Sequence, residues 1–273
     1  MEMLVMRHGS TENNARGRYR GHLQLPLTAK GVLEASDAVR FLKQLPSEQR
    51  PDWVVSSDLP SAKQTAAICA RALGLKMMKP LRNLRGMDIG SFAGKPKKEA
   101  EAALMECFRH PDESCGGGDS PNEFDARCEK VFAAIRKVAE ETDKIPLVVA
   151  HGSNTVYLYR TCEDCEEQNY QEPPIEPGGI IRYNGEDATP IWRVSDHANP
   201  LPLYPQDHKA GMVVPKGGSN CAKCEFLGDN KLTCTNKYFI AWNGSGVIPG
   251  PIDSYCSDWF EPEDAWQELS QKV

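Results

Sequence analysis

The sequence predicts an α/β fold, a three-layer α/β/α sandwich around a mostly parallel sheet, followed by a small irregular domain rich in cysteine. Three observations predict it. Short apolar runs of strand length alternate with segments whose apolar residues recur at helical spacing, the pattern that builds parallel sheets. Two of those runs end on a histidine loop. Beyond about residue 190 helical periodicity fades, proline and glycine become dense, and cysteines cluster.

The first run, Leu4-Val5-Met6, reads as a buried strand that opens into a loop at Arg7-His8-Gly9. From Thr28 to Leu45 the residues Val32, Leu33, Ala35, Val39, Leu42 and Leu45 line one helical stripe, and Thr28 is placed to cap it. Trp53-Val54-Val55 is a second short strand. Ala62 to Leu73 is helical, and Gly74 stands where a helix ends in the left-handed conformation. Ser120-Pro121-Asn122-Glu123 is a helix start: a capping hydroxyl, a proline at the first position and a glutamate that closes the capping box. Phe124, Cys128, Val131, Ile135 and Val138 continue it as an apolar stripe. Pro146-Leu147-Val148-Val149-Ala150 is a third strand and ends at His151-Gly152. In open α/β sheets, ligands bind beyond the carboxyl ends of the strands. His8 and His151 both fall there, so the fold is expected to bring them together. The domain boundary is placed between 190 and 205, giving domains 1–195 and 205–273.

Bulk properties narrow the function. Apolar residues make up 40% and charged residues 26% of 273, which is ordinary globular composition. No stretch approaches the roughly 20 apolar residues that span a bilayer, and the first residues lack a basic start and long apolar core. The expectation is a cytoplasmic protein with no membrane partner. A net charge of −6 argues against general nucleic-acid binding. The charge is uneven: residues 1–100 carry 17 Lys/Arg against 9 Asp/Glu, while the remainder carries 15 against 29. A positive N-terminal part suits a small anionic substrate. Oligomeric state is not legible.

A phosphoryl-transfer site that uses no metal needs a nucleophile, fixed cations for the phosphate oxygens and an acid for the leaving oxygen. A neutral histidine can be the nucleophile, and Arg7 beside His8 offers a forked donor for phosphate. Arg7-His8-Gly9-Ser10-Thr11-Glu12-Asn13-Asn14 resembles the Arg-His-Gly-x-Thr-x-x-Asn signature of the histidine phosphatase superfamily, the phosphoglycerate-mutase-like enzymes. Five further blocks are similar in order. They are Gly21 with Pro26-Leu27-Thr28 and Gly31; Ser56-Ser57-Asp58-Leu59 with Ala62 and Gln64-Thr65-Ala66; Gly90-Ser91-Phe92-Ala93-Gly94; Val148-Val149-Ala150-His151-Gly152; and Pro177-Gly178-Gly179. Together they cover about residues 1–185.

The resemblance implies a phosphomonoester hydrolase acting on a small phosphorylated substrate through a phosphohistidine, with no cofactor needed for phosphoryl transfer. It implies His8 as nucleophile, Arg7 and His151 on the phosphoryl group, Asn14 at the pocket edge and Gly152 beside His151. Two departures touch chemistry. The position of a second phosphate-binding arginine is Ser61, and that of the proton-donating glutamate is Gly86. Nearby substitutes are Lys63, Arg82 or Arg85 for the charge and Asp88 or Asp58 for the proton. Arg16, Arg18 and Arg20 form a basic cluster after the motif, with Arg20 a candidate substrate contact. The alternative is a catalytically weak or inactive protein that keeps a phosphate pocket.

Ten cysteines with no expected export point to metal or free thiols rather than disulfides. Cys221 and Cys224 are two residues apart, with Cys234 and Cys256 following. Paired thiolates on a tight turn plus two from later loops suit one four-ligand metal centre. The tail is weakly similar to high-potential iron–sulfur proteins, which implies a [4Fe–4S] cluster, with zinc as the alternative. A further alternative for the whole chain is a redox protein whose C-terminal iron–sulfur cluster carries the function. Cys162 and Cys165 read as loop or solvent-exposed thiols, and Cys69 and Cys128 as core residues.

Overall fold

The structure, a computed structural model, describes residues 2–162 and 174–197. The expected second domain at 205–273, with Cys221, Cys224, Cys234 and Cys256, lies outside the described residues, as does Cys165.

The described chain runs β1 (Met3–Arg7), α1 (Glu12–Ala15), α2 (Ala29–Gln44), β2 (Trp53–Ser56), α3 (Pro60–Leu73), β3 (Lys76–Met77), α4 (Lys97–Arg109), α5 (Pro121–Thr142), β4 (Pro146–Ala150), α6 (Gly152–Arg160), β5 (Ile180–Tyr183) and β6 (Ala188–Trp192). The strands form one six-stranded sheet in the order β3-β2-β4-β1-β5-β6. β1, β2, β3 and β4 pair in parallel, whereas β5 is antiparallel to both β1 and β6. The sheet is therefore mixed: β1–β4 form the parallel part that the sequence predicts, and β5 adds an antiparallel hairpin that it does not. The reason is local. Only residues 184–187 join β5 to β6, and so short a link makes a hairpin, because a parallel crossover needs a dozen residues or more. Asn184 closes that turn by accepting from the backbone N–H of Glu186 (2.8 Å) and Asp187 (2.7 Å).

Alternation along the strands fills both faces of the sheet. Met3 and Val5 join a core with Leu104 of α4, Phe124, Val131 and Ile135 of α5, and Leu158 of α6. Leu4 and Met6 join the opposite core with Ala35, Ala38 and Leu42 of α2 and Ala62, Ala66 and Cys69 of α3. Cys69 and Cys128 are fully buried, as expected of core residues. Cys162 corrects its reading as an exposed thiol: it is buried, and its Sγ donates to the Leu158 carbonyl (3.1 Å).

The helix boundaries follow the capping signals. Thr28 Oγ1 accepts from Gly31 N–H (3.2 Å) and donates to the Ser10 carbonyl (3.0 Å), so one side chain starts α2 and ties it to the loop after β1. Gly74 ends α3 at φ 67°. At α5, Ser120 Oγ accepts from Glu123 N–H (3.2 Å), and the Glu123 carboxylate accepts from Ser120 N–H (2.8 Å).

Candidate active site

The register of the sheet makes the site. β1 and β4 are parallel neighbours with Arg7 opposite Ala150, so the next residues of each, His8 and His151, leave the sheet side by side. Their ring centroids lie 5.0 Å apart, and both are nearly buried, at 3% and 5% exposure. Close backbone approach holds the loop: a Cβ on Gly9 would sit 2.3 Å from the Gly31 carbonyl oxygen, and one on Gly31 would sit 2.3 Å from that of Ser10. Only glycine at both positions lets α2 start against the histidine loop. Glu34 of α2 completes the fixation by accepting from Ser10 N–H (2.6 Å) and Ser10 Oγ (2.8 Å).

His8 has a defined tautomer. Its Nδ1 is 2.7 Å from the Gly9 carbonyl oxygen, which can only accept, so Nδ1 carries the proton and Nε2 keeps its lone pair. That lone pair accepts from Nη1 of Arg20. Arg20 Nε and Nη2 are buried without a hydrogen-bond partner among the described residues. Arg7 donates from Nη1 to the Ile175 carbonyl (2.8 Å). His151 Nε2 meets Ser57 Oγ at 2.8 Å, and its backbone N–H donates to Asn154 Oδ1 (3.1 Å).

The field is cationic. Burial, then Arg20, His151 and Arg7, hold His8 well below the ordinary histidine value. Burial, then Arg20, His22, Arg7 and Arg127, do the same to His151. Both rings are thus neutral at neutral pH. Burial and Arg7 lower Arg20 to about 10, so it stays charged. Two neutral histidines with two arginines form a place for an anion, because a dianion relieves the repulsion and desolvation that these groups otherwise bear.

The departures have structural consequences. Ser61 is fully buried on α3, and its hydroxyl has no hydrogen-bond partner among the described residues. Gly86 packs directly on the second histidine. A Cβ there would lie 3.1 Å from His151 Cβ and 2.8 Å from Ser153 Oγ. Of the expected substitutes, Asp58 and Arg85 occupy each other, with Arg85 donating to both carboxylate oxygens (2.7 and 2.6 Å). Arg82 is exposed and Lys63 is half-buried on α3. Asp88 turns its carboxylate to the Gly90 N–H (3.0 Å) and to His22 Nδ1 (3.3 Å). Asn14 Oδ1 is taken by Thr11 N–H (2.9 Å) and Thr11 Oγ1 (2.8 Å), which makes it a cap of α1 at the edge of the histidine loop. Gly152 opens α6 directly after His151. In the basic cluster Arg16 and Arg18 are exposed, and Arg20 alone turns to His8.

Four residues went unnoticed as site residues in the sequence. Ser57 and His22 reach His151 and the Gly86 carbonyl respectively. Glu34 anchors the loop at Ser10. Arg127 of α5 donates to the carbonyls of Asn83 (3.1 Å), Arg85 (2.7 Å) and Gly86 (3.2 Å), and so fixes the segment beside His151. Ser57 lies inside a motif block without being singled out there, and the other three act across sequence gaps that no motif spacing marks.

Comparison with known proteins agrees with this geometry. The sequence pattern of the histidine phosphatase superfamily (branch 1) matches residues 3–197. A metal-independent phosphoserine phosphatase of Arabidopsis thaliana is 30% identical over 166 residues, covering 58% of this chain and 67% of that protein. Phosphoglycerate mutase-like protein 4 of the same plant is 31% identical over 166 residues, with 58% and 69% covered. Among solved structures, a mycobacterial glucosyl-3-phosphoglycerate phosphatase in complex with VO3 aligns with a TM-score of 0.55 at 24% identity, covering 69% of this chain and 95% of that one. The phosphoglycerate mutase of Thermus thermophilus aligns with a TM-score of 0.53 at 24% identity, over 71% and 98%. At that identity the two structures establish the fold alone.

Proposed function

The chain belongs to the histidine phosphatase superfamily, branch 1, and on that premise we propose that it hydrolyses a small phosphomonoester through a phosphohistidine on His8 Nε2. The carrying observation is the His8 ring: its proton is fixed on Nδ1 by the Gly9 carbonyl, and its free Nε2 faces the Arg20 guanidinium. That is the protonation state a nitrogen nucleophile needs, and burial keeps it so. Relatives whose names are phosphoserine phosphatase and phosphoglycerate mutase support a small phosphorylated substrate.

In this reading the phosphoryl group enters between His8 and His151, with Arg7 and Arg20 on its oxygens. Arg20 takes the place of the second cation, for which Ser61 leaves no charge. The Nε2 lone pair attacks phosphorus, the P–O ester bond breaks, and its electron pair leaves on the ester oxygen, which takes up a proton. Water then attacks the phosphohistidine, the P–N bond breaks, and its pair returns to Nε2. His151 donates to the oxygens as charge gathers on them.

Gly86 and Ser61 favour a second reading, a pocket that binds phosphate without turnover. A panel of alkyl and aryl phosphates, assayed with wild type and His8→Ala, separates the two. Hydrolysis that vanishes in His8→Ala supports the enzyme. Vanadate binding with no hydrolysis of any member supports the binding protein.

A further inference from the structure

At the position where the resemblance implies a proton-donating glutamate stands Gly86, and the structure puts another group in that neighbourhood. His22 Nε2 is 2.8 Å from the carbonyl oxygen of Gly86, the residue in the vacated position. Its Nδ1 is 3.3 Å from Asp88 Oδ2. The Gly86 carbonyl can only accept, so Nε2 carries a proton, and when the ring is protonated its Nδ1–H faces the Asp88 carboxylate. The arrangement is braced. Arg127 donates to the same Gly86 carbonyl (3.2 Å) and to Asp119 (2.6 Å), and Asp119 in turn accepts from Asp88 N–H (2.9 Å).

Position matches the task. His22 is near enough to His151 that, when protonated, it adds to the repulsion that lowers that ring's pKa. It is 23% exposed, whereas His8 and His151 are nearly buried. Phosphoryl transfer is in line, so the leaving oxygen sits opposite the nucleophile, on the open side. The carboxylates near this region are otherwise engaged: Asp58 is held by Arg85, and Glu34 by Ser10.

We propose that His22 is the general acid of this site, with Asp88 as its positioning residue. The assignment rests on the phosphohistidine reading above. As His8 Nε2 bonds to phosphorus and the ester P–O bond breaks, the Nε2 proton of His22 leaves the Gly86 carbonyl for the departing oxygen, and an alcohol leaves. The now neutral His22 takes a proton from the water that attacks the phosphohistidine. The P–N pair returns to His8, phosphate departs, and His22 is again protonated.

Leaving-group dependence tests the role. An alkoxide needs a proton to leave; a p-nitrophenolate does not. In His22→Gln, kcat/KM for alkyl phosphates is expected to fall about 100-fold or more, the usual cost of losing a general acid, while p-nitrophenyl phosphate falls less than about tenfold. Asp88→Asn is expected to show the same selectivity to a smaller degree, and it serves if His22→Gln does not fold. Equal losses on alkyl and aryl substrates, or none on either, overturn the assignment while leaving the phosphohistidine reading intact. Wild type that forms no phosphoenzyme from p-nitrophenyl phosphate overturns both.

Discussion

The guanidinium of Arg20 donates to His8 Nε2, the nitrogen that the Gly9 carbonyl keeps unprotonated. On the proposed mechanism the arginine guards the attacking lone pair, and its Nε and Nη2, without a hydrogen-bond partner among the described residues, are left for a phosphoryl group. Arg20→Ala is expected to lower kcat/KM and vanadate affinity by roughly 10²–10³-fold, the range for losing one preorganised donor. Arg20→Lys restores only part, because a point charge replaces a fork. Isothermal titration with vanadate checks this. Ser61→Arg alone is expected to destabilise the fold, since Ser61 is fully buried and Arg7 and Arg20 already repel.

Gly86→Glu, which the sequence pattern invites, is expected to disappoint by itself. The new Cβ lies 2.8 Å from Ser153 Oγ and 3.1 Å from His151 Cβ, so the second histidine or Ser153 must move. The double variant Gly86→Glu with Ser153→Gly removes the nearer contact. It is expected to raise kcat on alkyl phosphates above the single variant, as read in steady-state assays.

Acid is expected to destabilise the fold through the histidine pair. His8 and His151 titrate well below 6.5 in the folded state, whereas they return to about 6.5 on unfolding. The unfolded chain therefore binds more protons below that pH, so this part of the stability is complete above pH about 6.5 and lost as pH falls. The loss reaches up to about 1.4 kcal/mol per histidine one unit below. Urea melts at pH about 7.5 and 5.5 measure it, and His151→Asn is expected to flatten the dependence.

The tail carries its own prediction, drawn from sequence alone. Cys221, Cys224, Cys234 and Cys256 are expected to ligate one metal centre, with [4Fe–4S] ahead of zinc. Protein made with iron and kept from oxygen is expected to be brown and to hold about four irons per chain. Colourless protein with one zinc rejects the cluster and keeps the site. Metal-free protein with four titratable thiols at these positions rejects both.

Much of the catalytic frame was legible because it follows from short-range rules. Leu4-Val5-Met6 and Pro146–Ala150 announce buried strands, and the carboxyl ends of parallel strands place His8 and His151 together. Thr28, Gly74 and Ser120 mark helix ends by their own hydrogen bonding or backbone freedom. What stayed hidden lacks such local signals. α4 buries only Ala100 and Leu104, too few to show a stripe. β6 contains Pro190, which suits an edge strand yet disguises it. His22 stands in an irregular loop 64 residues from Gly86, and only the folded chain brings the two together. The same holds for Arg127, which grips a loop more than forty residues away.

The central claim is a phosphohistidine on His8, and rapid-quench trapping with a radiolabelled aryl phosphate tests it most directly. A label stable to base, labile to acid, mapped to Nε2 of His8, and absent in His8→Ala is expected. Turnover of the same substrate with no label on His8 at any quench time, or a label on another residue, contradicts it.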